Sequence, residues 1–347
     1  MPWKGEKDPY RIWISEIILQ QTRVQQGLDY YDRFIKKWPD VKSLAAASEQ
    51  QVYKAWEGLG YYSRCRNLIA AAKYIAGELK GKFPDSYHEI LELPGIGTYT
   101  ASAIASFAFN LPHAVVDGNV FRVLARFFGI KTPVDTNTGN KQFTQLANEL
   151  LDKKNPGTYN QAIMDFGAIV CKPAQPLCNE CCLQRKCIAY DMQLTSVLPV
   201  KEKGARNRDR FFNYFIIEHN NKFYINKRIE KDIWQNLYEF ICMEAKKLIP
   251  EKKLLKSEAI ISLMGSQSAI TKISEVFQQK LTHQTIYGRF FHIVIKKETD
   301  SLTRFKKVSA RELNKLPFPK FITSYLQGLD VPLELVQLIQ TEERGIL

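Results

Sequence analysis

The stretch DSYHEILELPGIGTYTASAIASFAF, residues 85–109, decides how the first half of the chain folds. Apolar residues recur at helical spacing on both sides of Leu93-Pro94-Gly95-Ile96-Gly97, and that segment punctuates the pattern. The reading is helix, glycine-rich hairpin, helix. Two glycines let a backbone come close to a phosphate, and N–H groups at the start of the second helix would point at it without reading base sequence. Taken alone, the same five residues also suit a plain tight turn between helices.

Working outward, the apolar spacing is helical from Tyr10 to about Tyr190, with breaks at Trp38-Pro39, Gly58 to Gly60, Lys82-Phe83-Pro84 and Pro94 to Gly97. This half reads as all-α. Residues Pro199 to Arg210, PVKEKGARNRDR, are charged and poor in core residues, as a linker should be. Beyond them the runs 211–219, 222–228, 237–243 and 289–297 are aromatic and β-branched, with Asn220-Asn221 as a hairpin signal between the first two. That half reads as α+β. The expected organisation is a helical domain over 1–190, a linker over 191–210 and an α+β domain over 211–347. No repeat of fixed period and no low-complexity tract occurs.

The 347 residues are 45% hydrophobic and 24% charged, which suits two compact globular domains. Lys+Arg exceed Asp+Glu by 49 to 36, a formal net charge of +13 that favours a polyanionic partner. Membrane-surface binding would need a basic amphipathic helix, and none stands out. The N-terminus lacks the apolar stretch of a signal peptide, and no run of about eighteen apolar residues appears. A cytoplasmic protein is expected.

Five of the seven cysteines fall between Cys171 and Cys187. Cys171, Cys178, Cys181 and Cys187 follow C-x6-C-x2-C-x5-C in one short loop, and four thiolates can hold a cube of iron and sulfide. A structural zinc site is the alternative, although such sites usually bring two short C-x2-4-C pairs. Cys182 adds an ambiguity, since adjacent cysteines are not both assumed to be ligands. Cys65 and Cys242 read as small buried hydrophobes. Lys172, Arg185 and Lys186 on the loop could face phosphates or simply be solvated.

Two carboxylates complete the set of candidates. Glu16 lies in YRIWISEIILQQT, where Tyr10, Trp13, Ile14, Ile17 and Ile18 form an apolar stripe and Ile12 and Leu19 flank the acid. It is either a surface charge at a helix edge or a functional acid whose pKa is raised by desolvation. Asp117, twenty residues beyond Gly97 in VVDGNVFRVLAR, reads as the N-cap of a helix over Asn119 to Phe127.

In combination and in this order, Glu16 with Gln20-Gln21-Thr22, Gly58-Leu59-Gly60-Tyr61-Tyr62, the LPGIG hairpin, DGNVFRVLAR and the cysteine loop resemble the MutY-type adenine DNA glycosylases over nearly the whole chain. The resemblance implies an all-α helix-hairpin-helix glycosylase domain with the hairpin at about 85–109 and an iron-sulfur loop at 171–187, followed by an α+β MutT/Nudix-like domain. It also implies a [4Fe-4S] cluster on Cys171, Cys178, Cys181 and Cys187. The partner implied is double-stranded DNA carrying adenine opposite 8-oxoguanine or guanine, bound by a monomer with no membrane involved.

On this resemblance Glu16 protonates adenine at N7, and Asp117 stabilises the oxocarbenium-like sugar or bonds to it transiently. Tyr99 and Asn119 match the catalytic pocket. Gln21 and Tyr61 match residues that enter the base stack when adenine is flipped out, and a mispair lowers the cost of flipping. Leu93, Gly95 and Gly97 match the phosphate-binding hairpin. Leu281-Thr282-His283 lies where the family usually has Phe-Ser-His reading the lesion, with Leu281 as the departure. Endonuclease III-like enzymes of the same superfamily share the hairpin, the aspartate and the cluster loop, but carry a nucleophilic lysine where this chain has Tyr99. Without that amine a Schiff-base lyase step is not expected. The acidic box of nucleotide pyrophosphohydrolases is not found around Ile229 to Glu244, so nucleotide hydrolysis is not expected either. Relative to the family pattern, only Trp3 and Lys4 stand ahead of the Glu16 helix, where a further helix packing on the cluster domain is expected. The competing readings are an endonuclease III-like glycosylase and lyase for oxidised pyrimidines, and a non-catalytic iron-sulfur DNA-binding protein.

Overall fold

The structure, a computed structural model, describes residues 5–22, 24–202 and 208–328; Trp3, Lys4 and part of the expected linker lie outside them. Contacts divide the chain into two compact units, Met1–Ala47 with Arg64–Gly204, and Ser48–Ser63 with Ala205–Leu347.

The first unit is helical, and no strand occurs among its described residues. Its helices start where side chains can satisfy the free N–H groups of a first turn. Asp8 caps Pro9–Leu19, with Pro9 in the first turn where its missing N–H is harmless. Asp40 and Ser43 form a capping box on Val41–Ala46. Ser86 caps Tyr87–Glu92, Asp117 caps Gly118–Phe127 and Thr136 caps Asn137–Leu150. Thr98–Phe109 starts from Gly97 with no side-chain cap and ends at Asn110 in the left-handed conformation.

This uncapped helix is the centre of the unit. Ala101, Ala103, Ile104 and Ala105 are fully buried, and the small side chains of the three alanines let Pro9–Leu19 and Pro156–Ile169 pack closely against it. A second core gathers Val120, Leu124, Phe143, Ala147, Leu151, Ala189 and Leu198. The segment between Thr98–Phe109 and Asp117 has no regular structure of its own, so its buried backbone needs partners elsewhere. Asn160 supplies them. Its Oδ1 accepts from the Val115 N–H at 3.0 Å, and its Nδ2 donates to the His113 carbonyl and to Ser106 Oγ, both at 2.9 Å.

The second unit is built on one mixed sheet of seven strands: β1 (Arg208–His219), β2 (Lys222–Lys227), β3 (Tyr238–Ala245), β4 (Ser268–Ile273), β5 (Phe277–Lys280), β6 (Gln284–Ile295) and β7 (Lys306–Ser309). The order is β4-β6-β1-β3-β2-β7, with β5 pairing β6; β1 and β6 run parallel and the other neighbours antiparallel. Phe215, Ile217, Ile241, Phe291 and Ile293 from its middle strands pack with Leu254, Ile260 and Leu263. The Asn220-Asn221 signal holds: both residues have positive φ, 51° and 58°, as a two-residue turn between β1 and β2 requires. The sequence reading finds β1, β2, β3 and β6, and misses β4, β5 and β7. Those three are short and largely exposed, so they lack the apolar alternation that betrays a strand.

Chain order places residues 48–63 in the helical half, whereas their contacts group them with the sheet. The side chains of this segment explain why. Glu57 accepts from the Phe318 N–H at 2.8 Å, Lys54 donates to the Leu316 carbonyl at 3.2 Å, and the Tyr53 hydroxyl accepts from Asn236 at 3.1 Å.

Replacing Asn160 by leucine strands the buried Val115 N–H and removes the donor to the buried Ser106 hydroxyl and the part-buried His113 carbonyl, a stranded buried group being worth about 1–3 kcal/mol. The Asn160→Leu variant is therefore expected to melt at a lower denaturant midpoint by an amount equivalent to several of these; an unchanged midpoint would mean that water reaches the segment ahead of Asp117.

Candidate active site and cysteine loop

The helix Pro9–Leu19 is buried nearly all round, and Glu16 with it, at 8% exposure. Its only hydrogen bond among the described contacts comes from across the fold, where the Tyr99 hydroxyl donates to Oε2 at 2.8 Å. Burial drives the Glu16 pKa up to about 7; the Tyr99 bond opposes this, and the negative charge of Asp117 adds to it. This burial does not suit a surface charge at a helix edge and supports the reading of Glu16 as a desolvated acid.

Asp117 has both of its oxygens engaged. Oδ1 accepts from the backbone N–H groups of Asn119 and Val120 at 2.8 Å each, and Oδ2 accepts from Asn119 Nδ2 at 2.7 Å. It is thus the expected N-cap, held at the positive end of Gly118–Phe127, where a carboxylate is favoured. Glu16, Tyr99, Asp117, Asn119 and Gln21 line one cavity of about 970 Å³. One carboxyl group is shielded from water and the other is bonded through both oxygens, so the two stand in opposite environments within the same cavity.

Sequence reasoning missed several residues of this cavity. Gln161 and Asp165, joined at 3.0 Å, line it from Pro156–Ile169, and Glu6 and Lys7 line it from ahead of the first helix. Polar residues four apart in PGTYNQAIMDFGAI, otherwise largely apolar, were the available signal. Arg122 was also missed. At 7% exposure it donates to Asn119 Oδ1 (2.7 Å) and to the carbonyls of Gly167 and Cys171 (2.6 Å each). Gly167 is glycine for a packing reason: a Cβ there would lie 2.7 Å from Asn119 Cβ and 2.9 Å from its carbonyl oxygen.

The hairpin has the expected form. Gly95 has φ +75°, a conformation that glycine adopts without strain, and Gly95 and Gly97 are both exposed. Leu93 is different. Its side chain is buried, so only its backbone is available to a ligand. Gln21 and Tyr61 both sit at positive φ, 55° and 48°, which is uncommon for such side chains and stores strain. In the second unit Leu281, Thr282 and His283 form the turn between β5 and β6, with Thr282 and His283 exposed. Thr282 Oγ1 lies 2.8 Å from the Tyr61 hydroxyl.

Cys171, Cys178, Cys181 and Cys187 line one small cavity with Val123, Phe127, Phe166 and Leu183, whereas Cys182 is exposed and takes no part. Of the two adjacent cysteines, only Cys181 lines this cavity. Arg126, 2% exposed, donates to Cys171 Sγ at 3.4 Å and to the carbonyls of Lys172 and Pro173 at 2.7 and 3.0 Å. Among the described residues no three His, Cys, Asp or Glu side chains are drawn into the shell of a single metal ion. Arg185 and Lys186 are exposed and Lys172 half-buried. Cys65 is buried as expected; Cys242 is only half-buried. No described helix is long and apolar enough to cross a membrane.

Residues 14–151 match the family model of HhH-GPD superfamily base excision DNA repair proteins, and residues 213–328 match that of the NUDIX domain. An adenine DNA glycosylase of Buchnera aphidicola subsp. Baizongia pistaciae is 35% identical over 305 residues, covering 86% of this chain and 82% of that protein. One from Buchnera aphidicola subsp. Schizaphis graminum is 38% identical over 240 residues, 69% of each chain. Among solved structures, a thermostable thymine-DNA glycosylase superposes with a TM-score of 0.52 at 31% identity, covering 55% of this chain and 88% of that one.

The Glu16 shift has a consequence for folding. The unfolded carboxyl ionises near 4.5 and the folded one near 7, so the folded state is favoured by the neutral form. Stability is fully present below about 4.5 and lost as pH rises to about 7, by about 3 kcal/mol for a shift of this size. Glu16→Gln is therefore expected to match the parent in denaturant melts at pH 4.5 and exceed it at pH 8. Equal stability at both values would mean that Glu16 is solvated.

Proposed function

The chain belongs to the adenine DNA glycosylase family of helix-hairpin-helix base-excision repair enzymes, and from that premise we propose that it removes adenine mispaired with 8-oxoguanine or guanine and leaves an abasic site. The observation that carries this reading is the pairing, in one cavity, of a buried Glu16 with a fully hydrogen-bonded Asp117. Adenine leaves poorly as an anion. Glu16, protonated close to neutral pH, supplies the proton at N7 and makes the base a neutral leaving group. As the glycosidic bond stretches, positive charge builds on the sugar, and the Asp117 carboxylate lowers the energy of that state. Its two backbone N–H donors and the Asn119 side chain keep it aimed.

The fold alone does not choose the base, since a thymine-DNA glycosylase shares it. The adenine assignment rests on an adenine DNA glycosylase whose similarity covers 86% of this chain and so reaches into the second domain. In the domain organisation proposed here, 1–190 carries out base removal and 211–347 reads the opposite strand. Thr282 and His283, exposed on a turn, would face the lesion; Gln21 and Tyr61 would enter the stack; Gly95, Gly97 and the open N-terminus of Thr98–Phe109 would take a backbone phosphate. Bound DNA and a monomeric enzyme complete the proposal. A lyase reading lacks its nucleophile, because Tyr99 is a hydrogen-bond donor to Glu16.

The cysteines suit a [4Fe-4S] cluster. The four cysteines line one apolar cavity, and Arg126 donates to the sulfur of one of them, Cys171. When bound, the cluster would cross-link four points of the 171–187 loop. Arg122 and Arg126 hold the same loop to Gly118–Phe127.

The test is single-turnover base release from duplexes holding adenine opposite 8-oxoguanine, adenine opposite guanine, and thymine glycol opposite adenine. Adenine loss from the first two, with strand breaks only after hot alkali, is expected, together with a fall of about 100-fold or more in Glu16→Gln and Asp117→Asn. Cutting of the third duplex without alkali would overturn the assignment.

A further inference from the structure

The helix that carries Glu16 ends without the usual means. Four carbonyls at a helix C-terminus lack partners within the helix, and a glycine in the left-handed conformation commonly closes it. Here the chain continues as Gln20-Gln21-Thr22, and Gln21, with its side chain, occupies the left-handed region at φ 55°. The carbonyls are nevertheless all used. Glu16 O accepts from the Gln20 N–H at 3.2 Å, and Leu19 O from the Thr22 N–H at 3.1 Å. Those of Ile17 and Ile18 accept from one donor group, Arg64 Nη1, at 2.7 and 3.1 Å, and the same nitrogen donates to Gln20 O at 2.5 Å.

Arg64 stands in the first turn of its own helix, Tyr62–Gly77, where the positive end of the helix disfavours a cation. Its location makes sense through its partner, the negative end of Pro9–Leu19. Two functional groups hang from that end: Glu16 one turn before it, bonded to Tyr99, and Gln21 just beyond it. Gln20 adds a bond to Thr100 Oγ1 at 3.1 Å, so the end is tied to the residue next to Tyr99.

We propose that Arg64 is a positioning residue for base removal, which closes the C-terminus of the Glu16 helix and thereby fixes Glu16 against Tyr99 and Gln21 in its left-handed conformation. The proposal rests on Glu16 acting as the acid. Without the guanidinium, the last turn exposes the Ile17 and Ile18 carbonyls, which must find water, and the helix end frays. Glu16 then gains solvent. Its proton is held by desolvation above all, with Asp117 helping and Tyr99 opposing, so the net effect of added water is a lower pKa.

The experiment compares the parent with Arg64→Met, Arg64→Lys and Glu16→Gln in the full-length protein, measuring single-turnover adenine release from pH 5 to 9, mismatch binding and thermal melting. In the parent, release should fall as pH rises through about 7, where Glu16 loses its proton. Arg64→Met is expected to release adenine about 100-fold more slowly, the scale of a misplaced catalytic group, with the midpoint of its pH profile moved to lower pH. Arg64→Lys, which keeps a donor cation, should recover part of both effects. A parent-like rate and midpoint in Arg64→Met would overturn the proposal. So would a lower melting temperature with an unmoved midpoint, since that is what structural support alone would give. Activity retained in Glu16→Gln would instead sink the acid assignment, whatever the Arg64 variants do.

Discussion

A carboxyl group kept out of water beside a tyrosine hydroxyl is the constraint on which this molecule depends. A buried carboxylate with so few partners is costly in its charged form, and the cheaper state is the neutral acid. Holding Glu16 that way requires Pro9–Leu19 to be covered on nearly every side, which accounts for the alanine-lined face of Thr98–Phe109. It also requires the helix end next to Glu16 to be closed without glycine, where Arg64 is found. The raised pKa of Glu16 is thus a product of packing across three helices.

The second carboxylate is governed by a different element. Asp117 is fixed by the first turn of Gly118–Phe127, and the same helix carries Arg122 and Arg126 on its buried side. Arg122 links Asn119 to the carbonyl of Cys171; Arg126 links the helix to Cys171 Sγ and to Lys172 and Pro173. Buried guanidiniums are tolerated because their donors are met by carbonyls and sulfur. One helix therefore joins the aspartate and the cysteine loop by direct hydrogen bonds, and the loop is part of the frame around the site.

In the second unit, arginines have a related role. Arg210 forms paired bonds to Glu244 and Asp232, and Arg228 bonds Asp232 and Glu239. Two guanidiniums thus bind three carboxyl groups into one network. The sheet that matches the NUDIX domain is held by this network at one end, and its turn at Leu281-Thr282-His283 exposes Thr282 and His283.

The sequence by itself determined what depends on near neighbours along the chain. Two glycines and a proline between periodic segments set the hairpin, Asp117 ahead of VFRVLAR set a capped helix, Asn220-Asn221 set a turn, and the spacing of four cysteines set them within one short loop. Helix caps, turns and periodicity act over a few residues, so they are legible in order. Only the tertiary structure decided whether Glu16 was solvated or buried, which of the adjacent cysteines faced the cavity, that Leu93 offered its backbone alone, and that residues 48–63 packed with the sheet. The short edge strands were likewise invisible, having little apolar surface to bury. Burial is set by whatever the fold brings alongside: the bond that opposes the rise of the Glu16 pKa comes from a tyrosine 83 residues away, and no local pattern could have placed it there.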